Sequence, residues 1–494
     1  MNGNQKELLG HPFGLFVLFM AEMWERFCYY GMRGLLTLYL LKVLLIEQSE
    51  SYLIYGAYTA LVYLAPVLGG KIADTLLGYK KAVVFGAVLM AVGEFVILGG
   101  TPNALFWGMG LLIVGNGYFK ANISSIVGKL YKDGDERRDS GFTIFYIGIN
   151  IGALLATTVC VYIGETYGFH YGFALAGIGM LLGLIFFTLG QKYYIEKALP
   201  PNPEDLKKKV GGIISKEYLV YVLSLAIVPL IYLLVNENSI VGIILGATAI
   251  FSIIYLIKEG IKEGKVLLDR MILFIILCIF NIVFWALFEQ AGTSLTVFAD
   301  VNVNRNVLGF ELTAGNTQFF NPLYIILFGS LFSMMWTKLT KIGKNPSIPL
   351  KFGLGIIQLG LGYLVVIIGN HFAVDYKVPL WTLAFLYMLH TTGELFISPI
   401  GLSMVTKLAP AKLTGTLMGV WFLSFAGSNY VAGILATLTG SEGQSGGEAI
   451  VASTKDSLAT YIDVYSTMGL TAVGVGLLVA LLSPWLRKLL HGIE

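Results

Sequence analysis

Long apolar runs dominate the pattern of this chain. Stretches of roughly 20 apolar residues recur from Phe13 to Leu486, and each is long enough to cross a bilayer as a helix. Short polar loops separate them. The pattern predicts fourteen membrane helices, near residues 13–45, 52–76, 81–99, 104–131, 141–163, 170–190, 217–236, 240–258, 270–299, 314–337, 351–370, 379–407, 413–438 and 461–486. One polar segment, QKYYIEKALPPNPEDLKKKVGG, breaks the series with prolines and a lysine run. The division that follows is a six-helix bundle over residues 1–190, a linker with two extra helices over 191–269, and a second six-helix bundle over 270–494. The extra pair is expected to stand at the periphery.

Composition agrees with this reading. The chain has 494 residues, of which 56% are hydrophobic and 13% charged. Its net charge of +3 says less than where the charges fall. Lys80 and Lys81 share one loop, Lys129, Lys132, Arg137 and Arg138 another, and the 191–216 linker carries six lysines. The loops between these, 46–51, 99–103, 164–170 and 236–239, carry no Lys or Arg. Positive residues remain on the cytoplasmic side, so both termini and the linker are expected in the cytoplasm of a multi-pass inner or plasma membrane protein. Cys28, Cys160 and Cys278 lie in apolar segments without a CxxC spacing, which argues against a disulfide framework or a metal site. The N-terminal stretch has no basic segment, short apolar run and small-residue cleavage site in series, so no cleaved signal peptide is expected.

Two six-helix halves are the layout of the major facilitator fold, whose substrate site lies near the membrane midplane. The loop GGKIADTLLGYKKA, residues 69–82, resembles that superfamily's signature between its second and third helices: Gly70, Asp74, Gly78, Lys80 and Lys81 supply the glycines, acid and bases. Asp74 is the candidate gate-loop residue, able to accept from a neighbouring helix end.

Charge inside the apolar runs is the chemically informative feature. A charged side chain at a helix centre costs about 2.5–3.5 kcal/mol on insertion scales. Seven charged residues sit deep: Glu22, Glu25, Arg26, Arg33, Lys120, Glu289 and Glu394. Standing alone they would cost on the order of 20 kcal/mol, so they must face a wet cavity or each other. Glu22, Arg26, Tyr29, Tyr30 and Arg33 recur at helical spacing and form one polar stripe, with Glu25 at its edge. Glu22 and Arg26 form an i,i+4 pair with the acid first, the better orientation. Four acids stand against three bases. One carboxylate would remain unpaired, and one added proton resolves the imbalance, because a carboxyl moved out of water holds its proton more firmly. The constellation suits a proton-coupled carrier. Glu94 is a further acid, expected near the outer interface.

Aromatic residues flank these charges: Tyr29, Tyr30, Tyr63, Tyr146, Trp285 and Trp421. A cavity with separated charges and aromatic walls suits a short zwitterion. Peptides, amino acids and amphiphilic drugs all fit that description.

At this point the chain resembles the proton-dependent oligopeptide transporter family, over essentially its whole length. Glu22-Met23-Trp24-Glu25-Arg26-Phe27 with Tyr29-Tyr30 matches its ExxERFxYY motif. Phe145-Tyr146-Ile147-Gly148-Ile149-Asn150-Ile151-Gly152 matches FYxxINxG, and Gly393-Glu394-Leu395 with Ser398-Pro399 matches GELxxSP. The resemblance implies an all-α membrane protein of the major facilitator fold with the inserted helix pair typical of bacterial members. It implies that Glu22, Glu25, Arg26 and Lys120 couple protons to transport, and that protonation of Glu289 releases its pair with Arg33. Arg26, Arg33 and Lys120 would hold the peptide carboxylate, and Glu394 with Asn321 the amino terminus. Tyr29, Tyr30, Tyr63, Tyr146, Asn150, Trp285, Trp421 and Ser424 would line the pocket. A proline expected to lie mid-helix, Pro322, follows Asn321 and would free backbone carbonyls. One departure is Ala121, where the family carries proline after the helix-4 lysine.

The function so implied is inward symport of di- and tripeptides with protons by alternating access. No cofactor beyond the proton gradient, no metal, no nucleic acid and a functional monomer are expected. The alternative is a carrier of the same fold for nitrate, amino acids or another small solute. A membrane enzyme is disfavoured: His11, His170, His371, His390 and His491 are scattered, with no HExxH spacing. The sole suspicion is His390, four residues before Glu394, and a packing role suits it better.

Overall fold

In a computed structural model, residues 6–132, 134–440 and 453–492 are described, with only the backbone at 399, 400, 402, 403, 406 and 411. Within lipid every backbone N–H and C=O needs a partner from the protein, and a helix supplies it inside one segment. The described strands are only two residues long. The long helices are α1 (Phe13–Lys42), α2 (Gln48–Ile72), α3 (Tyr79–Ile97), α4 (Pro102–Lys129), α5 (Arg137–Leu155) and α6 (Phe169–Leu189). Then come α7 (Lys216–Asn236), α8 (Asn238–Glu263), α9 (Lys265–Phe288) and α10 (Phe320–Lys341). The series ends with α11 (Ile348–Asn370), α12 (Trp381–Leu408), α13 (Thr414–Thr437) and α14 (Thr454–Lys488). Among the described residues, 10 helical segments are long and apolar enough to cross a membrane. α1, α3, α4 and α12 are not among them. α1 carries Glu22, Glu25, Arg26 and Arg33; α3 carries Lys80, Lys81 and Glu94.

The chain separates into two compact units, one of residues 1–45 and 61–238 and one of 46–60 and 239–494. In the first, α3 and α4 cross through glycines: a Cβ on Gly86 would lie 2.5 Å from Gly115 O, and one on Gly108 would lie 2.7 Å from Gly93 O. In the second, α11 and α14 do the same at Gly353 against Gly476 and Gly360 against Gly469. Small residues let backbones approach where lipid offers no hydrophobic drive to pack.

Two glycine contacts position the functional residues. Gly69 on α2 meets Gly117 on α4 so closely that a Cβ would lie 2.1 Å from the Gly117 carbonyl oxygen. Gly152 on α5 would place one 2.2 Å from Met23 O on α1. Gly70, one residue on, has 3.6 Å to its nearest neighbour. Gly69→Ala should therefore cost most of the folded protein, whereas Gly70→Ala should be tolerated. Fluorescence-detected size-exclusion yield compares the two directly; equal yields would refute the crossing.

The inserted pair is fastened at each helix. α7 lies on α4, with the Tyr118 hydroxyl 2.6 Å from Ser224 Oγ and Tyr232 donating to Asn103 at 2.7 Å. Lys81 pairs with Glu217. α8 is tied to Lys412, which pairs with Glu259 at 3.3 Å and with Glu263. In the linker, Lys216 binds Asp205 at 2.8 Å. That bond, with a second from Lys208, keeps the Asp205 carboxyl below its ordinary range.

Three expectations about element limits are corrected. The 270–299 run is not one helix: α9 ends at Phe288, a 3-10 turn covers Glu289–Gly292, and a short helix follows over Ser294–Asn302. The cause is tertiary. Tyr55 presses on Gly292, where a Cβ would lie 1.7 Å from its hydroxyl, and the Gln290 amide donates to Ala432 O at 2.9 Å. α14 begins at Thr454 rather than near 461, because Ser453 caps it by accepting from the Asp456 N–H at 3.2 Å. Pro322 stands in the first turn of α10, not at mid-helix, where a missing N–H costs little.

Candidate functional site

The first unit holds the α1 stripe. Glu22, Glu25, Arg26 and Arg33 are all buried. Arg26 Nε lies 3.2 Å from Glu22 Oε1 and donates to Glu25 as well. One guanidinium thus answers two acids. Glu25 does not merely edge the stripe: it turns to α4, where Asn116 Nδ2 donates to it at 3.1 Å. Arg26 Nη2 and Glu22 Oε2 have no hydrogen-bond partner among the described residues.

The aromatic residues of the stripe stack on its cations. Arg26 Cζ is 5.3 Å from the Tyr29 ring centroid and Arg33 Cζ 5.9 Å from that of Tyr30. The two rings meet edge to face at 5.2 Å. On α4, Lys120 Nζ sits 4.3 Å over the Tyr63 ring of α2. Such contacts stabilise a cation in a site stripped of water. Lys120 is within electrostatic reach of Glu22, Glu25, Arg26 and Arg33, so five of the seven deep charges meet in this unit. Asn150 turns its amide back to Tyr146 O at 2.9 Å, and Tyr146 is exposed.

The second unit gathers the other two deep charges. Glu394 on α12 accepts from Asn321 Nδ2 at 3.0 Å, and the same amide reaches Thr391 Oγ1 at 3.1 Å. Glu289 opens the 3-10 turn, is 3% exposed, and lies within electrostatic reach of Glu394. Trp285 packs on Phe288 and Phe425, with centroids 5.0 and 5.4 Å away. Trp421 is buried against Phe425 and Gly401. Ser424 accepts from Asn281 at 2.9 Å and donates to Trp421 O at 2.6 Å. The side chain of Pro399 lies outside the described residues.

Away from these clusters, Asp74 accepts from the Tyr79 hydroxyl at 2.7 Å; the expected loop at 69–82 is instead mostly helical, with Asp74 in a π-helical turn, Ala73–Leu77, that continues α2 to Gly78. Gly78 there has φ +71 and lies against Pro200, which fixes the loop on the linker. His390 packs on Tyr363, 4.8 Å between centroids, as a core residue. Glu94 is 0% exposed, and its described partner is the Cys28 thiol at 3.4 Å.

Sequence reasoning missed Asn116, Asn281 and Thr391, the amides and hydroxyl that orient the charged groups. Asn116 was within reach of a pattern argument, because it stands four residues before Lys120 on the same helix face.

Charges of both signs held under burial, flanked by aromatics and with a spare guanidinium donor, can bind a small zwitterion. A family model described as the POT family matches residues 80–483. The chain is 36% identical over 501 residues to the uncharacterized transporter YclF of Bacillus subtilis (strain 168), covering 99% of this chain and 97% of that one. It is 32% identical over 491 residues to dipeptide and tripeptide permease B of Aeromonas hydrophila, covering 98% and 95%. A crystal structure of a mutant of the peptide transporter POT in complex with alafosfalin superposes with TM-score 0.84 at 34% identity, covering 99% of this chain and 98% of that one.

Proposed function

The chain belongs to the proton-dependent oligopeptide transporter (POT) family, and from that premise we propose that it is a symporter carrying di- and tripeptides together with protons by alternating access. It is a multi-pass membrane protein acting as a monomer, with fourteen spans, both termini in the cytoplasm, and the two six-helix bundles set apart by the linker and helix pair. Its domains are those at 1–190, 191–269 and 270–494, and its membrane is the inner or plasma membrane. It uses the proton gradient in place of a cofactor.

The observation that carries this reading is Arg26, buried between two acids with Nη2 unpartnered. A guanidinium whose charge is already balanced can still give a charge-assisted hydrogen bond to an incoming carboxylate. Arg26, Arg33 and Lys120 take the peptide carboxylate; Glu394 and Asn321 take the amino terminus. Tyr29, Tyr30, Tyr63, Tyr146, Asn150, Trp285, Trp421 and Ser424 line the pocket. Glu22 and Glu25 balance Arg26 and set the proton's path, Glu289 carries the transported proton, and Asp74 serves the gate loop. A permease B relative named for di- and tripeptides supports the substrate class.

Competition in proteoliposomes tests the substrate. Unlabelled di-alanine should suppress uptake of a labelled dipeptide, and nitrate or free alanine should not. Inhibition by nitrate alone would sink the peptide reading. Within the site, Glu394→Gln should raise the KM for free-amine dipeptides by roughly tenfold, the loss of one charge-assisted bond. The affinity of an N-acetylated dipeptide should hardly move. Equal effects on both would remove Glu394 from amine recognition.

A further inference from the structure

At one end of the first unit, where α3, α4 and α5 meet the linker, lies a cavity of about 1070 Å³. Four cations line it: Lys129, Lys132, Arg138 and Lys197. The one acid among its described lining residues is Glu196.

Of the other basic side chains nearby, Lys81 pairs with Glu217, Lys208 and Lys216 with Asp205, and Arg137 with Asp135 and Glu7, whereas Lys80 binds the Gln191 amide and Lys192 the Tyr193 ring. Lys129, Lys132, Arg138 and Lys197 make no ion pair with a described residue. Lys129 instead rests 4.3 Å over the Tyr79 ring. Ser124 and Ser125 donate to carbonyls of their own helix, at 3.4 and 3.0 Å, which leaves recognition to the cations. Leu199 and Phe142 add an apolar wall.

We propose that this cavity holds the phosphate group of an anionic phospholipid, phosphatidylglycerol being the simplest headgroup that fits. Four cations against one acid, among the described lining residues, repel each other, and a phosphate anion relieves that repulsion while satisfying several donors together. Basic pockets between membrane helices are suited to phosphorylated headgroups. A free phosphate offers the same charge, but it makes no use of the apolar wall or of the cavity's place at the helix ends. The proposal rests on α3–α5 being membrane helices and not on peptide transport.

Native mass spectrometry of the full-length protein tests it, with phosphatidylglycerol, phosphatidylethanolamine and inorganic phosphate as separate probes. The wild type should retain phosphatidylglycerol over phosphatidylethanolamine. Each cation removed should weaken retention roughly fivefold. Lys129→Gln/Lys132→Gln/Arg138→Gln should then lose on the order of a hundredfold. Lys197→Gln alone, in the linker, should lose the single-charge amount and guards against misfolding of the triple variant. Removing the same charge elsewhere, by Lys265→Gln/Lys344→Gln/Lys488→Gln, should change nothing. Displacement of the lipid by inorganic phosphate supports a phosphate-recognising site. Equal retention of both lipids, undiminished retention in the triple variant, or binding of inorganic phosphate without the lipid would overturn the proposal.

Discussion

Glu289→Gln will abolish peptide accumulation while leaving peptide exchange close to the wild-type rate. Glu289 sits where α9 gives way to the 3-10 turn, buried and aimed by neighbours that are themselves fixed. Gln290 donates to Ala286 O at 3.0 Å and to Ala432 O at 2.9 Å, and it accepts from Ser294 at 2.7 Å. Tyr55 closes on Gly292. Glutamine keeps the shape of the side chain and can fill the same place, so the peptide can still be carried in either direction. What glutamine cannot do is change charge by taking a proton. Under the proposed function that proton is carried at Glu289, which lies within electrostatic reach of Glu394. Without that step the gradient does no work. One charge moved down 100 mV is worth about 2.3 kcal/mol, roughly fifty-fold in concentration. The variant should lose that factor and equilibrate. Accumulation at wild-type level would remove Glu289 from the proton pathway.

Arg26→Gln will destabilise the protein more than any other single change in the α1 stripe. Arg26 holds Glu22 and Glu25 together, and both acids are buried, Glu25 at 0% exposure. Removing one partner of a buried ion pair costs about 3–5 kcal/mol, because the charge left behind has neither water nor a counter-ion. The expected result is a large fall in melting temperature in detergent and no measurable uptake. A second substitution separates the causes. Arg26→Gln/Glu25→Gln removes one orphaned acid while keeping an acceptor for Asn116, so it should recover much of the stability but not the uptake. If the double variant were no more stable than Arg26→Gln, ion pairing would not be what Arg26 contributes to the fold.

Much of this architecture is legible in the chain, and the parts that are not have identifiable causes. Periodicity of the apolar runs places the long helices to within a few residues, as at 170–190 for Phe169–Leu189 and 413–438 for Thr414–Thr437. Polar helix starts are hidden: Arg137–Arg138 and Thr454–Asp456 read as loop because their turns are charged, yet the Ser453 cap and the acid Asp456 suit a first turn, and Arg137 is held in one by its pair with Asp135 against the sign of the helix dipole. The break at Glu289 is invisible for the opposite reason. Hydropathy runs on through it, and the residues that impose it, Tyr55 and Ala432, are distant in sequence. The stripe Glu22–Arg26–Tyr29–Tyr30–Arg33 follows from helical spacing alone. The direction of Glu25 does not, since Asn116 on another helix sets it. The contact of Glu94 with the thiol of Cys28 is likewise hidden, because the two residues stand on different helices.

Peptide-induced proton entry is the direct test of symport. Purified protein is reconstituted into liposomes containing a pH-sensitive dye, with an outside acid gradient and the membrane potential clamped. Adding a dipeptide outside should acidify the lumen at a rate that follows peptide uptake, and Glu289→Gln should show no such signal. Peptide uptake without any lumenal pH change in the wild type would contradict proton coupling.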